Sequence, residues 1–206
     1  AIKKGQEIGR AVNACRTLAN TPGGDMTPTL LAKAAKDAVR GLSVKVTTLG
    51  KKEMKKLGMG AVIGVAKGST EPPTFTIMEY PSTSSGQVWA KQKPIVLAGK
   101  GVTFDSGGLN LKSSNGIYEM HMDMSGAAAA IYSVALAARL KLKKHVIALL
   151  PSVENMPGNN AVRPGDILKS LSGKTIEVTD TDAEGRLILA DALTYAKRFK
   201  PSVVVD

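Results

Sequence analysis

In Pro94-Ile-Val-Leu-Ala98 a proline is followed by four apolar residues, and in His145-Val-Ile-Ala-Leu-Leu150 a histidine is followed by five. Both runs are short and unbroken, the pattern of strands covered on both faces. Between them Ser125 to Leu142 is rich in alanine and reads as a helix. Upstream, Thr74 to Tyr80 and the Val- and Thr-rich Ser43 to Leu49 read as strands. Gly5 to Asn20 carries apolar residues at helical spacing. Thr27-Pro28 opens a second helix with a hydroxyl at the N-cap and proline at the first helical position, stopping near Gly41. Lys51 to Leu57 reads as a short solvated helix, Ala61 to Ala66 is open between helix and strand, and Pro81 to Gly86 is a flexible loop. Gly99 to Gly116 reads as a long Gly- and Ser-punctuated stretch, and Asn155 to Gly165 as a polar loop. Ile167 to Ser170 and Thr175 to Val178 form a hairpin, Leu187 to Phe199 a helix, and Ser202 to Val205 one more buried strand. This alternation predicts an α/β fold, a three-layer sandwich with a mostly parallel central sheet. Because the chain stops inside that last strand, the sheet is expected to be incomplete and the chain a fragment.

The 206 residues suffice for one sizeable core, and 43% hydrophobic with 22% charged residues argues against wholesale disorder. One cysteine, Cys15, excludes a disulfide framework and any cysteine-rich zinc module. Only His121 and His145 offer imidazoles, so a metal site must be built mainly from carboxylates; neither is assigned a role. No apolar run approaches the roughly 20 residues of a bilayer span, and no signal-peptide core opens the chain. The expected location is cytoplasmic. The +11 net charge, from 28 basic and 17 acidic residues, raises nucleic acid as a partner. Aromatics at 4% leave little material for base stacking, and the lysine pairs are dispersed.

Ligands of open α/β sheets gather at the carboxyl ends of strands. Three loops there are unusually polar: Gly99 to Lys112, Met122 to Gly126 and Thr179 to Arg186. In Asp182-Ala-Glu184-Gly-Arg186 the large side chains alternate with the smallest ones, so an extended segment would aim all three to one side. Paired carboxylates repel unless a cation neutralises them. With Asp105 and Asp123 as further donors, the set points to a two-metal site. Plainer readings exist: Asp182, Glu184 and Asp123 as acids at helix N-termini, Asp105 as a turn residue. Phosphate-binding and serine-hydrolase motifs are absent; the glycine that Ser172-Gly-Lys-Thr175 would require is Leu168.

Gly99-Lys-Gly-Val-Thr-Phe-Asp-Ser-Gly-Gly108, Asp123-Met-Ser-Gly-Ala127 and Thr181-Asp-Ala-Glu-Gly-Arg-Leu187 closely resemble the cytosolic leucyl aminopeptidase family. Glu154-Asn-Met-Pro-Gly158, Arg163-Pro-Gly-Asp166 and Leu18-Ala-Asn-Thr-Pro22 extend the likeness over essentially the whole chain. The resemblance implies that residues 1–206 are the N-terminal and central part of a metallo-aminopeptidase catalytic domain, its C-terminal part and the family's smaller N-terminal domain being absent. It implies a hexameric enzyme hydrolysing the N-terminal peptide bond of peptides with a free N-terminus, through a water bridging two divalent ions (Zn²⁺, Mn²⁺ or Mg²⁺). Lys100, Asp105, Asp123, Asp182 and Glu184 occupy the metal-ligand positions, Asp105 and Glu184 bridging. Lys112 and Arg186 match the non-ligand catalytic residues, Arg186 holding bicarbonate. Lys100 must then be neutral, its pKa pulled down by the ions.

Two positions depart from the family pattern, Asp180 in place of asparagine and Ser125 before Gly126. A complementary C-terminal segment is expected to be needed for full activity. The readings from other classes are a nucleic-acid-binding module and an inactive homologue serving as a subunit.

Overall fold

The computed structural model describes residues 1–81 and 88–206; apart from Pro81, the loop expected over 81–86 lies outside them. In chain order the elements are α1 (Ile2–Ala19), α2 (Pro28–Ala38), β1 (Lys45–Leu49), α3 (Lys51–Leu57), α4 (Gly60–Val65), β2 (Thr74–Tyr80), β3 (Ile95–Ala98), β4 (Gly101–Asp105), α5 (Ser114–Ile117), α6 (Ser125–Arg139), β5 (Val146–Asn155), β6 (Ile167–Lys169), β7 (Thr175–Glu177), α7 (Glu184–Ala196) and β8 (Val203–Val205). The central sheet runs β1-β2-β5-β3-β8, with β4 also on β5, and β6-β7 is a separate hairpin. The two pairings on the β1-β2-β5 side are antiparallel; β3 with β5, β3 with β8 and β4 with β5 are parallel. The mostly parallel α/β sandwich is therefore present, with an antiparallel flank.

Helices cover both faces. One core packs α4 and α7 against the sheet through Val62, Val65, Phe75, Ile147, Leu149 and Ile188. The other packs α1, α2 and α6 through Leu18, Leu31, Ala35, Met78, Ile131 and Leu150. Alanine gives α6 its close approach: Ala127, Ala128, Ala130, Ala135, Ala137 and Ala138 are all buried. At its start, a Cβ on Gly99 would sit 2.6 Å from the Cα of Ala127. Only glycine lets the end of β3 meet the start of α6 there.

Two boundaries differ from the expectation. The stretch from Gly99 contains β4, whose register continues that of β3: Ile95 faces Val146, Gly101 faces Ser152 and Val102 faces Val153. Glycine at 101 masked the strand pattern, and a bulge at Thr103 then brings Asp105 opposite Asn155. β5 is correspondingly longer than the apolar run, reaching Asn155. The open segment at 61–66 is helical. Its first N–H groups, Ala61 and Val62, both donate 3.0 Å to Asp191 Oδ2 from α7, and Leu171 N donates 2.7 Å to Oδ1.

Candidate metal centre

Four carboxylates and two lysines converge where β4 and β5 end and α6 and α7 begin. Asp105 ends β4 and is 2% exposed; Lys100 lies in the break between β3 and β4. Asp123 stands two residues before α6, and Glu184 opens α7 at 1% exposure. Lys100 Nζ lies 2.8 Å from Asp123 Oδ1 and 2.8 Å from Glu184 Oε1. Lys112 Nζ lies 3.0 Å from Asp105 Oδ2 and 2.6 Å from Asp182 Oδ1. Asp105, Asp182 and Glu184 each offer an oxygen within 4.8 Å of the others. Each ammonium thus stands between two carboxylates, and the four acids outnumber the two bases.

The extended-segment reading of Asp182, Glu184 and Arg186 does not hold. Asp182 is in a turn, and α7 already begins at Glu184. Two residues apart on a helix are about 200° around the axis. Glu184 therefore points inward while Arg186 is exposed on the rim of a hollow of about 360 Å³ lined with Lys100, Asp182, Glu184 and Leu189. The glycine between them makes room for the lysine stem, since a Cβ on Gly185 would lie 2.7 Å from Lys100 Cε.

Burial dominates the electrostatics. It pushes the Glu184 carboxyl up to about 7 and raises Asp123 as well. It would lower Lys100, but contacts with Asp123 and Glu184 outweigh it and hold the amine above its ordinary value. Facing Asp123 and Glu184, Lys100 is held as an ammonium; the neutral amine that the resemblance implies belongs with two cations beside it, which would displace that proton. For Lys112 the same opposition ends strongly raised, through Asp182 and Asp105.

The donor set suits divalent cations. Glu184 Oε2 and Asp123 Oδ2 are buried without a hydrogen-bond partner, while Glu184 Oε1 and Asp182 Oδ1 meet only the ammoniums of Lys100 and Lys112. Buried carboxylate oxygens left in this state are costly, and a cation would satisfy all of them at once. A helix-end role is open to Glu184 in the first turn of α7, but it leaves Oε2 buried without a partner.

A hydrogen-bonded frame that sequence reasoning missed lies behind the cluster. Asn155 Nδ2 donates to Asp105 Oδ1 at 2.7 Å and to Thr181 O at 2.9 Å. Thr181 Oγ1 donates to Gly107 O at 2.7 Å, and Thr181 N donates to Asn110 Oδ1 at 2.9 Å. The available signal was a polar residue at the carboxyl end of a buried strand. His145 lies elsewhere, its Nε2 3.1 Å from Glu79. Asp180 is exposed and caps its own turn, accepting from Asp182 N at 2.8 Å.

An open-sheet α/β sandwich that gathers acidic groups at the carboxyl ends of parallel strands defines a class of proteins with their chemistry at that edge. Within that class the chain belongs to the cytosol aminopeptidase family, whose catalytic-domain pattern matches residues 13–206. It is 47% identical over 206 residues to the "Probable cytosol aminopeptidase" of Ralstonia pickettii and 48% identical to that of Aromatoleum aromaticum. All of the chain is matched in both, against 40% of each relative, so the chain spans about two fifths of their length. The solved cytosol aminopeptidase of Coxiella burnetii superimposes with a TM-score of 0.90 at 35% identity, covering 98% of this chain and 42% of that one. The bottromycin maturation enzyme BotP in complex with Mn gives 0.88 at 36% identity, covering 96% and 42%.

Proposed function

We propose that this chain carries the metal centre of an aminopeptidase that hydrolyses the N-terminal peptide bond of peptides. The observation that carries the reading is the convergence of Asp105, Asp123, Asp182 and Glu184 on two lysines, with Asp123 Oδ2 and Glu184 Oε2 buried and without a partner. Lys100, Asp105, Asp123, Asp182 and Glu184 would hold two divalent cations, Zn²⁺ or Mn²⁺ with Mg²⁺ as a third candidate. Such ions would supply Lewis acidity toward a carbonyl and a lowered pKa for bound water.

The chain's own groups supply the rest. Lys112 stays cationic beside Asp105 and Asp182, placed to donate a proton-bearing contact to a carbonyl oxygen as negative charge develops on it. Arg186, on the rim, offers the paired donors of a planar guanidinium and suits a planar oxyanion such as bicarbonate. That anion would take the proton-shuttling place of a histidine; His121 and His145 stay without that role. Hydrolysis adds water across the C–N bond, so the oxygen joins the acyl carbon and the amine leaves with a proton. Assembly into a homo-hexamer and a cytoplasmic location belong to the same proposal.

The test is Glu184→Ala in a complete chain, assayed on an aminoacyl amide with Mn²⁺ or Zn²⁺ added. Loss of turnover is expected, and wild-type rates would contradict the assignment. One feature favours the nucleic-acid reading: a groove of about 640 Å³ lined by Lys51, Lys55, Lys67 and Lys169. It has no aromatic or arginine lining for bases to stack on. Salt-sensitive DNA retention unaffected by chelator would support it.

A further inference from the structure

We infer that Asn155 is a positioning residue that fixes which oxygen of Asp105 is presented to the metal centre. This deepens the proposed function and rests on Asp105 being a ligand.

Asn155 ends β5 directly opposite Asp105 at the end of β4, and it is 1% exposed. Both partners of its side-chain nitrogen, Asp105 Oδ1 at 2.7 Å and the carbonyl of Thr181 at 2.9 Å, are acceptors. The amide must therefore turn its NH₂ toward them, which fixes its orientation without ambiguity. Asp105 Oδ1 also accepts from Gly107 N at 2.9 Å. With two donors on Oδ1, rotation of the carboxylate is opposed, and Oδ2 is the oxygen left to Lys112, whose ammonium also reaches Asp182. Because Thr181 immediately precedes Asp182, the same NH₂ ties the β4 end to the loop that supplies two further acids. One amide thereby sets the spacing between donors that come from positions 77 residues apart or more in the chain, a separation no local turn can enforce. Metal-ligating carboxylates are commonly oriented by such hydrogen bonds, and losing one costs about 10–100-fold in affinity.

The backbone of Asn155 holds the same turn independently: its carbonyl accepts from Ser106 N at 3.0 Å and Ser106 Oγ at 2.7 Å. Side-chain replacement leaves that latch in place, which separates orientation from folding.

The experiment titrates Mn²⁺ into wild type, Asn155→Asp and Asn155→Ser by calorimetry, and records thermal unfolding with and without saturating Mn²⁺. Asn155→Asp keeps the shape but presents acceptors to acceptors, so Mn²⁺ affinity should fall about 10–100-fold and the Mn²⁺-dependent rise in Tm should shrink. Asn155→Ser keeps one donor and should fall between. A purely structural role would lower Tm in both conditions equally and leave Kd unchanged; that result in either folded variant overturns the inference. If wild type itself takes up no Mn²⁺, the proposed metal centre fails first, and the inference with it.

Discussion

Replacing Glu184 with Gln should make the metal-free protein more stable while removing its response to metal. Glu184 is 1% exposed, and burial pushes its carboxyl from 4.5 to about 7. A raised acid binds more protons in the folded state than in the unfolded state. Its ionisation therefore costs nothing below about pH 4.5, and the cost grows as pH rises through about 7. The full shift corresponds to on the order of 3 kcal/mol at pH 8. That shift is already net of the attraction to Lys100; the NH₂ that glutamine brings to the place of a partnerless oxygen gains no acceptor, which offsets part of the gain. A net stabilisation of about 1–2 kcal/mol is expected at pH 8, vanishing toward pH 5. Urea unfolding in EDTA at both pH values measures it. With saturating Mn²⁺ the order should invert, because ligand binding to the folded state stabilises wild type and not the variant. If the variant is less stable than wild type in EDTA at pH 8, the electrostatic reasoning is wrong. If both respond equally to Mn²⁺, Glu184 is no ligand.

Three further outcomes follow from the geometry. Lys112→Met in a complete chain should cut kcat by about 10²–10³ while Mn²⁺ affinity, read by calorimetry, is kept or improved. Gly185→Ala places a Cβ 2.7 Å from Lys100 Cε, which the flexible lysine can yield to, so it should cost less than about 1 kcal/mol in urea unfolding yet weaken Mn²⁺ binding through displacement of Lys100. Asp191→Ala leaves the N–H groups of Ala61, Val62 and Leu171 without their acceptor. It should cost about 3 kcal/mol or more yet leave the Mn²⁺ Kd of the folded protein unchanged, a structural control for the Asn155 variants.

Elements with dense local signals were legible in the sequence. The apolar runs at 95–98 and 145–150, the alanine helix and the Thr27-Pro28 cap all lie where their chemistry directs. What escaped was set by distant partners. Ala61 to Val65 is apolar enough for either helix or strand, and the carboxylate that receives its first N–H groups is 130 residues away. β4 hides among glycines because its identity as a strand comes from pairing with β5. The acids of the centre could be picked out because they lie in three motifs that resemble one family; the residue types alone left helix-end and turn roles open. Their geometry could not: Glu184 starts a helix, which separates it from Arg186. Asn155 was invisible as a site residue because an asparagine near a loop usually does no more than turn the chain.

Diffraction from crystals soaked in Mn²⁺, with the anomalous signal collected at the manganese edge, tests the central claim most directly. The account predicts two peaks among Asp105, Asp123, Asp182 and Glu184, with Lys100 turned toward one of them. An empty cluster at saturating Mn²⁺, or peaks confined to other carboxylates, would contradict it.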